Sequence, residues 1–147
     1  MKISMGCDHG GLQLKNAIKA HLLEQGHEVV DFGTNSTDSC DYPDFAIPAA
    51  RAVASGECER GILVCTTGIG ISITANKVNG IRCALLSDTV SAKLCRNHNN
   101  TNMMALGQGI VGEKLALQIV DTWLHAEFEG GRHQRRIDKM MAVEKNP

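Results

Sequence analysis

Short apolar runs alternate with helical patterns along most of this chain. Five runs, at residues 3–7, 28–32, 61–65, 81–86 and 103–106, are mostly apolar. Runs of this length and composition are typical of strands that are buried on both faces, as in a parallel sheet. We therefore predict five short parallel strands.

The segments between the runs carry apolar residues at four-residue spacing, which predicts connecting helices. These positions are Leu14, Ile18 and Leu22, then Phe45, Ala49 and Val53, and later Leu115, Ile119 and Trp123. Residues 72–76 open another helix, and Ser87 or Asp88 can cap one that carries Val90 and Leu94. Because strand and helix alternate five times, we expect an α/β fold with a doubly wound, five-stranded parallel sheet.

The chain continues beyond this last layer. Residues 129–147 begin with Glu-Gly-Gly-Arg-His and then place Ile137, Met140, Met141 and Val143 at helical spacing. An appended helix needs a surface for its apolar face, and a second subunit is the simplest source of one. We expect a single domain over residues 1–147, in which residues 129–147 form a dimerisation tail.

Composition narrows the classes of partner. Hydrophobic residues make up 43% of the chain and aromatic residues only 3%, so the core must be aliphatic. A formal net charge of −1 gives no long-range attraction to nucleic acid or to an anionic membrane. No apolar run approaches the roughly 18 residues of a membrane span, and no signal peptide precedes the first predicted strand. We expect a cytoplasmic protein that binds neither nucleic acid nor membranes.

The six cysteines include no Cys-x-x-Cys pair, which argues against a zinc ribbon or a thioredoxin-type site. In a cytoplasmic protein they are expected to stay reduced. Cys7 and Cys83 lie within apolar runs, so we expect buried, inert thiols there. The scattered histidines lack zinc-site spacing, and we expect no metal.

Cys65 ends the third predicted strand and is followed by Thr-Thr-Gly-Ile-Gly at residues 66–70. Its thiol is thereby placed beside backbone N–H groups and the positive end of a helix dipole. Such a thiol is biased toward thiolate, and the same N–H groups can hold an oxyanion as it forms. The segment supplies a candidate base and a candidate anion hole, while the alternative is a plain core cysteine.

Other polar residues follow the carboxyl ends of the predicted strands, where ligands bind in folds of this kind. They are Asp8 and His9, then Asp41, Tyr42 and Asp44, and finally Ser87 and Asp88. Asp8 and His9 also suit a tight strand-to-helix turn with a helix cap. Gly68 and Gly70 match a dinucleotide-binding fingerprint only weakly, because Ile73 stands where its third glycine belongs.

Two later segments carry further candidates. His98 lies among four asparagines between residues 97 and 102, a dense hydrogen-bonding set that also suits a solvated helix end. Arg132 and Arg136 lie four residues apart on one helical face. There they can clamp a single phosphate or remain solvated.

From residue 2 to about residue 144, these motifs resemble the ribose-5-phosphate isomerase B family, which also contains galactose-6-phosphate isomerase subunits. The matching motifs are Gly-Cys-Asp-His-Gly-Gly from residue 6, Asp-Tyr-Pro-Asp-Phe-Ala from 41, Gly-Ile-Leu-Val-Cys from 61, Gly-Ile-Gly-Ile-Ser-Ile from 68, Ala-Asn-Lys from 75, His-Asn from 98 and Glu-Gly-Gly-Arg-His from 129. The resemblance implies a Rossmann-like homodimer, sometimes paired into tetramers. It also implies isomerisation of a sugar phosphate through a cis-enediolate, without metal or cofactor.

The resemblance further implies a role for each candidate residue, in a site built from both subunits. Cys65 would move the proton between C1 and C2 of the sugar. The other implied roles are enediolate stabilisation by Thr67 and the N–H groups of Gly68, Ile69 and Gly70, ring opening by His98 with Asp8, hydroxyl contacts by Tyr42 and Asn99, and phosphate binding by His9, Arg132 and Arg136.

Two positions depart from the family pattern. Thr66 stands where many members have glycine, and Gly109 stands where many have arginine. The added β-branched side chain can narrow the pocket, and one phosphate or inter-subunit contact is absent. The substrate stays open between ribose 5-phosphate, a hexose 6-phosphate of the allose or galactose type, and an unphosphorylated sugar. Outside enzymes, the alternative is a sugar-phosphate or nucleotide-binding module.

Overall fold

In the computed structural model, residues 1–146 are described, and they form one fully parallel sheet with helices on both faces. The strands are β1 (Lys2–Cys7), β2 (Glu28–Asp31), β3 (Arg60–Cys65), β4 (Cys83–Leu85) and β5 (Met103–Gly107), in the order β2-β1-β3-β5-β4. The helices are α1 (Leu12–Glu24), α2 (Pro43–Ala54), α3 (Ile69–Asn76), α4 (Thr89–Asn99), α5 (Glu113–His125) and α6 (Arg132–Met141), followed by a 3₁₀ turn at Ala142–Glu144. The predicted doubly wound, five-stranded parallel sheet with an appended helix is confirmed.

Each face of the sheet has its own core, because alternate strand residues point to opposite sides. On one face, α1 and α5 cover Ile3, Met5, Ile62, Val64 and Leu106. On the other face, α2 and α3 cover Leu63, Cys65, Met103 and Ala105. Both cores are mainly aliphatic, as the composition predicts, and Trp123 of α5 is the one fully buried large aromatic side chain among the described residues.

Two elements have different bounds from those predicted. Helix α3 begins at Ile69 rather than at residue 72, because Gly68 takes a left-handed conformation with φ +77° and turns the chain directly into the helix. Strand β4 is shorter than predicted, and it pairs with β5 alone at one edge of the sheet. The N–H of Cys83, at its start, donates to the side chain of Asn76 instead of to a strand.

Helix α4 begins as predicted but faces differently. Asp88 is its cap, with Oδ1 accepting the Ser91 N–H at 2.6 Å. Val90 and Leu94, the apolar positions that predict this helix, are 67% and 41% exposed. Ala92 and Arg96 take the buried positions instead. The buried guanidinium is held by backbone and side-chain oxygens at the end of the helix, at Thr101 and Asn100.

The C-terminal tail finds part of its surface within its own chain, contrary to expectation. Ile137 of α6 is 4% exposed, and the Glu144 carboxylate accepts the Gly80 N–H at 2.8 Å. The chain itself therefore supplies part of the surface that was expected from a second subunit. Met140 and Val143 do remain exposed.

All six cysteines are free thiols. Cys7 is fully buried, as expected, and burial raises the pKa of its thiol to about 11. Cys83 is half-buried rather than buried as expected. Burial nevertheless raises the pKa of its thiol as well. Within residues 1–146, none of the helices combines the length and hydrophobicity that crossing a membrane requires.

A buried ion pair ties α1 to the end of β2. The Lys15 ammonium is fully buried and lies 2.7 Å from the Asp31 carboxylate, which also contacts Lys19 at 3.1 Å. Burial by itself would raise the pKa of Asp31, but hydrogen bonds from Lys15, the Gly33 N–H and Lys19 outweigh it and hold that pKa below its usual value. The carboxylate therefore stabilises the folded state as an anion.

Asp31→Asn should lower the free energy of unfolding by about 3–5 kcal/mol, because it leaves the buried Lys15 ammonium without its counter-charge. Chemical denaturation at neutral pH measures the loss. Asp38→Asn is the matched control, since Asp38 is exposed and forms no ion pair among the described residues.

The pH dependence has a definite sign. A lowered folded-state pKa gives stability that is complete above the unfolded pKa of about 3.9 and is lost as the pH falls through the folded value. The difference in the free energy of unfolding between the protein and Asp31→Asn should therefore disappear at acidic pH. A difference below about 1 kcal/mol at neutral pH, the size of an exposed pair, would show that the pair is not a structural requirement.

Candidate active site

Strand β3 delivers Cys65 to the carboxyl edge of the sheet, beside Gly107 at the end of β5. Its side chain is 5% exposed, and Sγ accepts the Gly68 N–H at 3.1 Å. A sulfur that accepts a backbone N–H is held in place, and the bond is stronger when the sulfur is a thiolate. The turn therefore positions the thiol as an acceptor at the start of α3.

Thr67 closes the same turn. Its Oγ1 accepts the Ile69 N–H at 3.2 Å, which leaves the hydroxyl proton free to donate outward. The N–H groups of Gly68 and Ile69, two of the three expected to stabilise an oxyanion, are thus engaged inside the turn. In the described residues, the Gly70 and Ile71 N–H groups have no backbone or side-chain partner. Ile71 is fully buried, so the Gly70 N–H is the donor left for a ligand.

Gly68 and Gly70 are each required for a different steric reason. A Cβ at Gly68 would lie 2.9 Å from the Leu106 carbonyl carbon, so this residue must be glycine for contact as well as for its positive φ. A Cβ at Gly70 would lie 2.5 Å from Cζ of Tyr42. Gly70 therefore allows the tyrosine ring, which is 39% exposed, to lie against the first turn of α3.

The β1–α1 turn places Asp8 and His9 at the same edge. Asp8 is 6% exposed, and its Oδ1 accepts the Gly10 N–H at 2.9 Å. His9 Nδ1 lies 3.2 Å from the Cys40 backbone N, so it accepts that N–H. The ring proton of a neutral His9 must then sit on Nε2, where the imidazole can donate to an anion.

A cleft of about 380 Å³ opens beside His9 at the start of α1, lined also by Leu12, Gln13, Asn16, Thr37 and Gln108. A second cleft, of about 210 Å³, lies beside Thr67 and Ile69 and is bordered by β4 and the loop after β5. The expected convergence of polar groups at the carboxyl edge is therefore seen for Asp8, His9, Tyr42, Cys65 and Thr67.

His98 and Asn99 lie at the opposite edge. Helix α4 connects two parallel strands, β4 and β5, so it runs from the carboxyl edge back to the amino edge, and both residues lie in its last turn. The Asn99 carbonyl accepts from the side chain of Arg82, which directly precedes β4. Along β3, from Gly61 to Cys65, the edges are separated by roughly 13 Å at about 3.3 Å per residue.

The start of α6 meets the end of α4 at this amino edge. The His98 and His133 rings stack with centroids 4.4 Å apart, and His98 Nε2 lies 3.8 Å from the Glu129 carboxylate. Burial, followed by the charges of His98 and Arg132, lowers the pKa of His133. Arg132 and Arg136 are exposed and form no ion pair among the described residues.

One chain therefore holds two separate groups of predicted site residues. The carboxyl edge has Asp8, His9, Tyr42, Cys65, Thr67 and the 68–70 turn, and the amino edge has His98, Asn99, Arg132 and Arg136. Sequence reasoning missed Glu129 and the His98–His133 stack. No periodic signal could reveal them, because the contact joins two helices that are remote in sequence.

The two departures from the family pattern are neighbours. Thr66 is exposed between two glycines, Gly10 and Gly109. A Cβ at Gly109 would lie 3.1 Å from the Thr66 carbonyl oxygen and 3.3 Å from its Cγ2, and a Cβ at Gly10 would overlap its hydroxyl. The Thr66 side chain occupies room that these two glycines leave.

Together, the parallel sheet and the thiol-bearing turn at its carboxyl edge define an α/β protein with a candidate acid–base site. A family model described as Ribose/Galactose Isomerase matches residues 3–140. Ribose-5-phosphate isomerase B of Escherichia coli strain K12 is 54% identical over 143 residues, which cover 97% of this chain and 96% of that protein.

Solved structures agree with this match. Ribose-5-phosphate isomerase B of Clostridium thermocellum is 55% identical with a TM-score of 0.98, covering 99% of both chains. The enzyme from Mycoplasma genitalium with bound ribulose-5-phosphate is 44% identical with a TM-score of 0.95, covering 99% of this chain and 97% of that one. The chain belongs to the ribose/galactose isomerase family, of the ribose-5-phosphate isomerase B type, and the resemblance read from its motifs is confirmed. It is thus an aldose–ketose isomerase by family.

Proposed function

We propose that the protein interconverts ribose 5-phosphate and ribulose 5-phosphate through a cis-enediolate, without metal or cofactor, in a site that two copies of the chain share. The observation that carries this proposal is the Cys65 sulfur beside the Gly68 N–H at the start of α3. It is supported by the similarity to the Escherichia coli enzyme and to the Mycoplasma genitalium enzyme with bound ribulose-5-phosphate.

Proton transfer begins on the open-chain aldose. The Cys65 thiolate takes the proton from C2, and the C–H electron pair forms the C1–C2 double bond while O1 becomes an oxyanion. The thiol then returns its proton to C1, O1 gains the proton of the 2-hydroxyl, and C2 becomes the ketone. A base with a pKa near the working pH suits both steps.

The enediolate oxygens need donors that are already in position. The Thr67 hydroxyl is free to donate, and the unpaired Gly70 N–H lies in the first turn of α3 with the helix dipole behind it. Preorganised donors of this kind stabilise a developing oxyanion without reorganisation. We assign the enediolate to this turn.

The remaining roles divide between the two edges of the sheet. At the carboxyl edge, Asp8 assists ring opening, Tyr42 contacts sugar hydroxyls, and His9 donates to the phosphate through Nε2. The amino edge of the second copy supplies His98 for ring opening, Asn99 for a hydroxyl, and Arg132 with Arg136 for the phosphate. Because the strand separates these edges within one chain, a homodimer is required.

Exposed apolar side chains support the dimer. Large hydrophobic residues are exposed on α3, the edge strand β4, α4 and the tail, and they are Ile69, Ile73, Leu85, Val90, Leu94, Met140 and Val143. Large contiguous apolar patches on a protein surface mark interaction sites. We propose that a second copy covers part of this surface, with a tetramer as the larger assembly.

Thr66 and Gly109 support a second candidate class of substrate. Thr66 lies in the turn that carries Cys65, and Gly109 packs against it without a side chain, so the presence of one side chain and the absence of the other shape the site entrance. The same chemistry on a hexose 6-phosphate of the allose or galactose type, or on an unphosphorylated sugar, is the second candidate. A binding module without catalysis does not need a thiol positioned in this way.

Cys65→Ala should reduce turnover of ribose 5-phosphate by roughly 10²–10⁴-fold, the usual contribution of a general base. Binding of ribulose 5-phosphate, measured by calorimetry, should survive because the donors of the turn remain. Cys40→Ala is the control, since it removes another thiol at the same edge. Near-normal turnover in Cys65→Ala would remove Cys65 from the mechanism.

Arg136→Ala should lower kcat/KM for a sugar phosphate by about 10–150-fold, mainly through KM, because hydrogen bonds to charged groups contribute roughly 1.5–3 kcal/mol each. The matched control is Arg135→Ala, which removes the same charge from the same exposed helix. An equal loss on the free sugar would contradict phosphate binding by the tail and favour the unphosphorylated substrate.

A further inference from the structure

Three possible metal ligands converge at the amino edge. The ligand atoms of His98, Glu129 and His133 all lie within 4.8 Å of one another. They come from three places, the last turn of α4, the loop before α6 and the first turn of α6. No other such group of three is present among residues 1–146.

The backbone holds these ligands together. The Glu129 N–H donates to the Asn97 carbonyl at 3.0 Å, and the Asn97 side chain donates to the Glu127 carbonyl at 2.6 Å. Gly130 and Gly131 follow with φ +66° and +59°, which turn the chain so that Glu129 and His133 face the same side. The His98–His133 stack keeps the two rings adjacent. Because imidazole lone pairs lie in the ring planes, the His98 ring must turn out of the stack for both rings to bind one ion.

The donor set selects the class of ion. Two imidazoles and one carboxylate suit Zn²⁺ and similar first-row ions, whereas Mg²⁺ and Ca²⁺ prefer oxygen ligands alone. Zinc–ligand distances of about 2.0–2.2 Å place ligand atoms closer together than in this cluster. The His98 and Glu129 side chains are 40% and 53% exposed, so both have room to rotate onto an ion.

We propose that His98, Glu129 and His133 bind a Zn²⁺ ion, and that the bound ion inhibits the isomerase by occupying the His98 imidazole. The inhibition rests on the proposed function, because it depends on the role of His98 in ring opening. The ion is an inhibitor and not a cofactor, since the proton transfer at Cys65 proceeds without it. The exposed charges of Arg132 and Arg136, on the same helix, weaken binding, and we expect affinity in the micromolar range.

Calorimetric titration of the full-length, chelator-treated protein with Zn²⁺ tests the site directly. We expect one ion bound per chain, no comparable binding of Mg²⁺, and visible absorption bands from Co²⁺ as the spectroscopic probe. Glu129→Gln and His133→Ala should each weaken Zn²⁺ binding at least about tenfold, because loss of a direct ligand costs no less than loss of a supporting group. Glu129→Gln keeps the backbone bond to Asn97 and so preserves the loop.

Activity assays in buffer without inorganic phosphate test whether the bound ion inhibits the isomerase. Zn²⁺ should inhibit the protein over the concentration range in which it binds. Glu129→Gln should need at least about tenfold more Zn²⁺ for the same fractional inhibition, measured against its own activity without metal. Zinc binding that persists in Glu129→Gln and His133→Ala but disappears in Cys65→Ala would place the ion on the thiol and overturn the proposal. Binding by the cluster without inhibition would overturn the inhibitory claim. Absence of isomerase activity in metal-free buffer, with zinc binding intact, would count instead against the proposed function.

Discussion

Every strand of this sheet runs in the same direction, and each helix that joins two strands must return from the carboxyl edge to the amino edge. Cys65 ends a strand, and His98 ends such a helix, so one chain cannot bring them together. The same constraint separates His9 from Arg132 and Arg136. Most of what we propose about assembly follows from this one geometric fact.

Local chemistry at the carboxyl edge is set by the turn between β3 and α3. Gly68 is in the left-handed conformation and lies against the backbone of β5, which brings its N–H to the Cys65 sulfur. Gly70 makes room for the Tyr42 ring. A few residues thus fix the thiol, the Gly70 donor and the position of the tyrosine ring.

The sequence predicts features that depend on neighbouring residues. Apolar periodicity predicted the five strands and most helices, and the position of Cys65 before a Thr/Gly turn predicted its place at the sheet edge. Apolar periodicity did not predict the buried side of α4, where Val90 and Leu94 are apolar but exposed while Arg96 is buried. It also failed for His133, whose stacking partner lies on another helix. Hydrophobicity alone does not say which apolar side chains the fold buries, and helix–helix contacts leave no periodic pattern in the sequence.

Thr66 and Gly109 show how two departures can be a single structural change. The Thr66 side chain fills space against Gly109, and a side chain at residue 109 would press on Thr66. The loop after β5 therefore accommodates threonine by having no side chain of its own. Both residues lie at the Cys65 turn, so a change at either one alters the space that is left for the other.

The claim that two copies share each site can be tested with a mixed dimer. Cys65→Ala and His98→Ala chains with different tags are coexpressed, and the doubly tagged dimer is isolated. If sites are shared, one site receives both substitutions and the other receives neither, so the mixed dimer should regain about half of the normal activity while each parent stays nearly inactive. A mixed dimer as inactive as its parents would contradict the account, because it would place Cys65 and His98 of the same chain in one site.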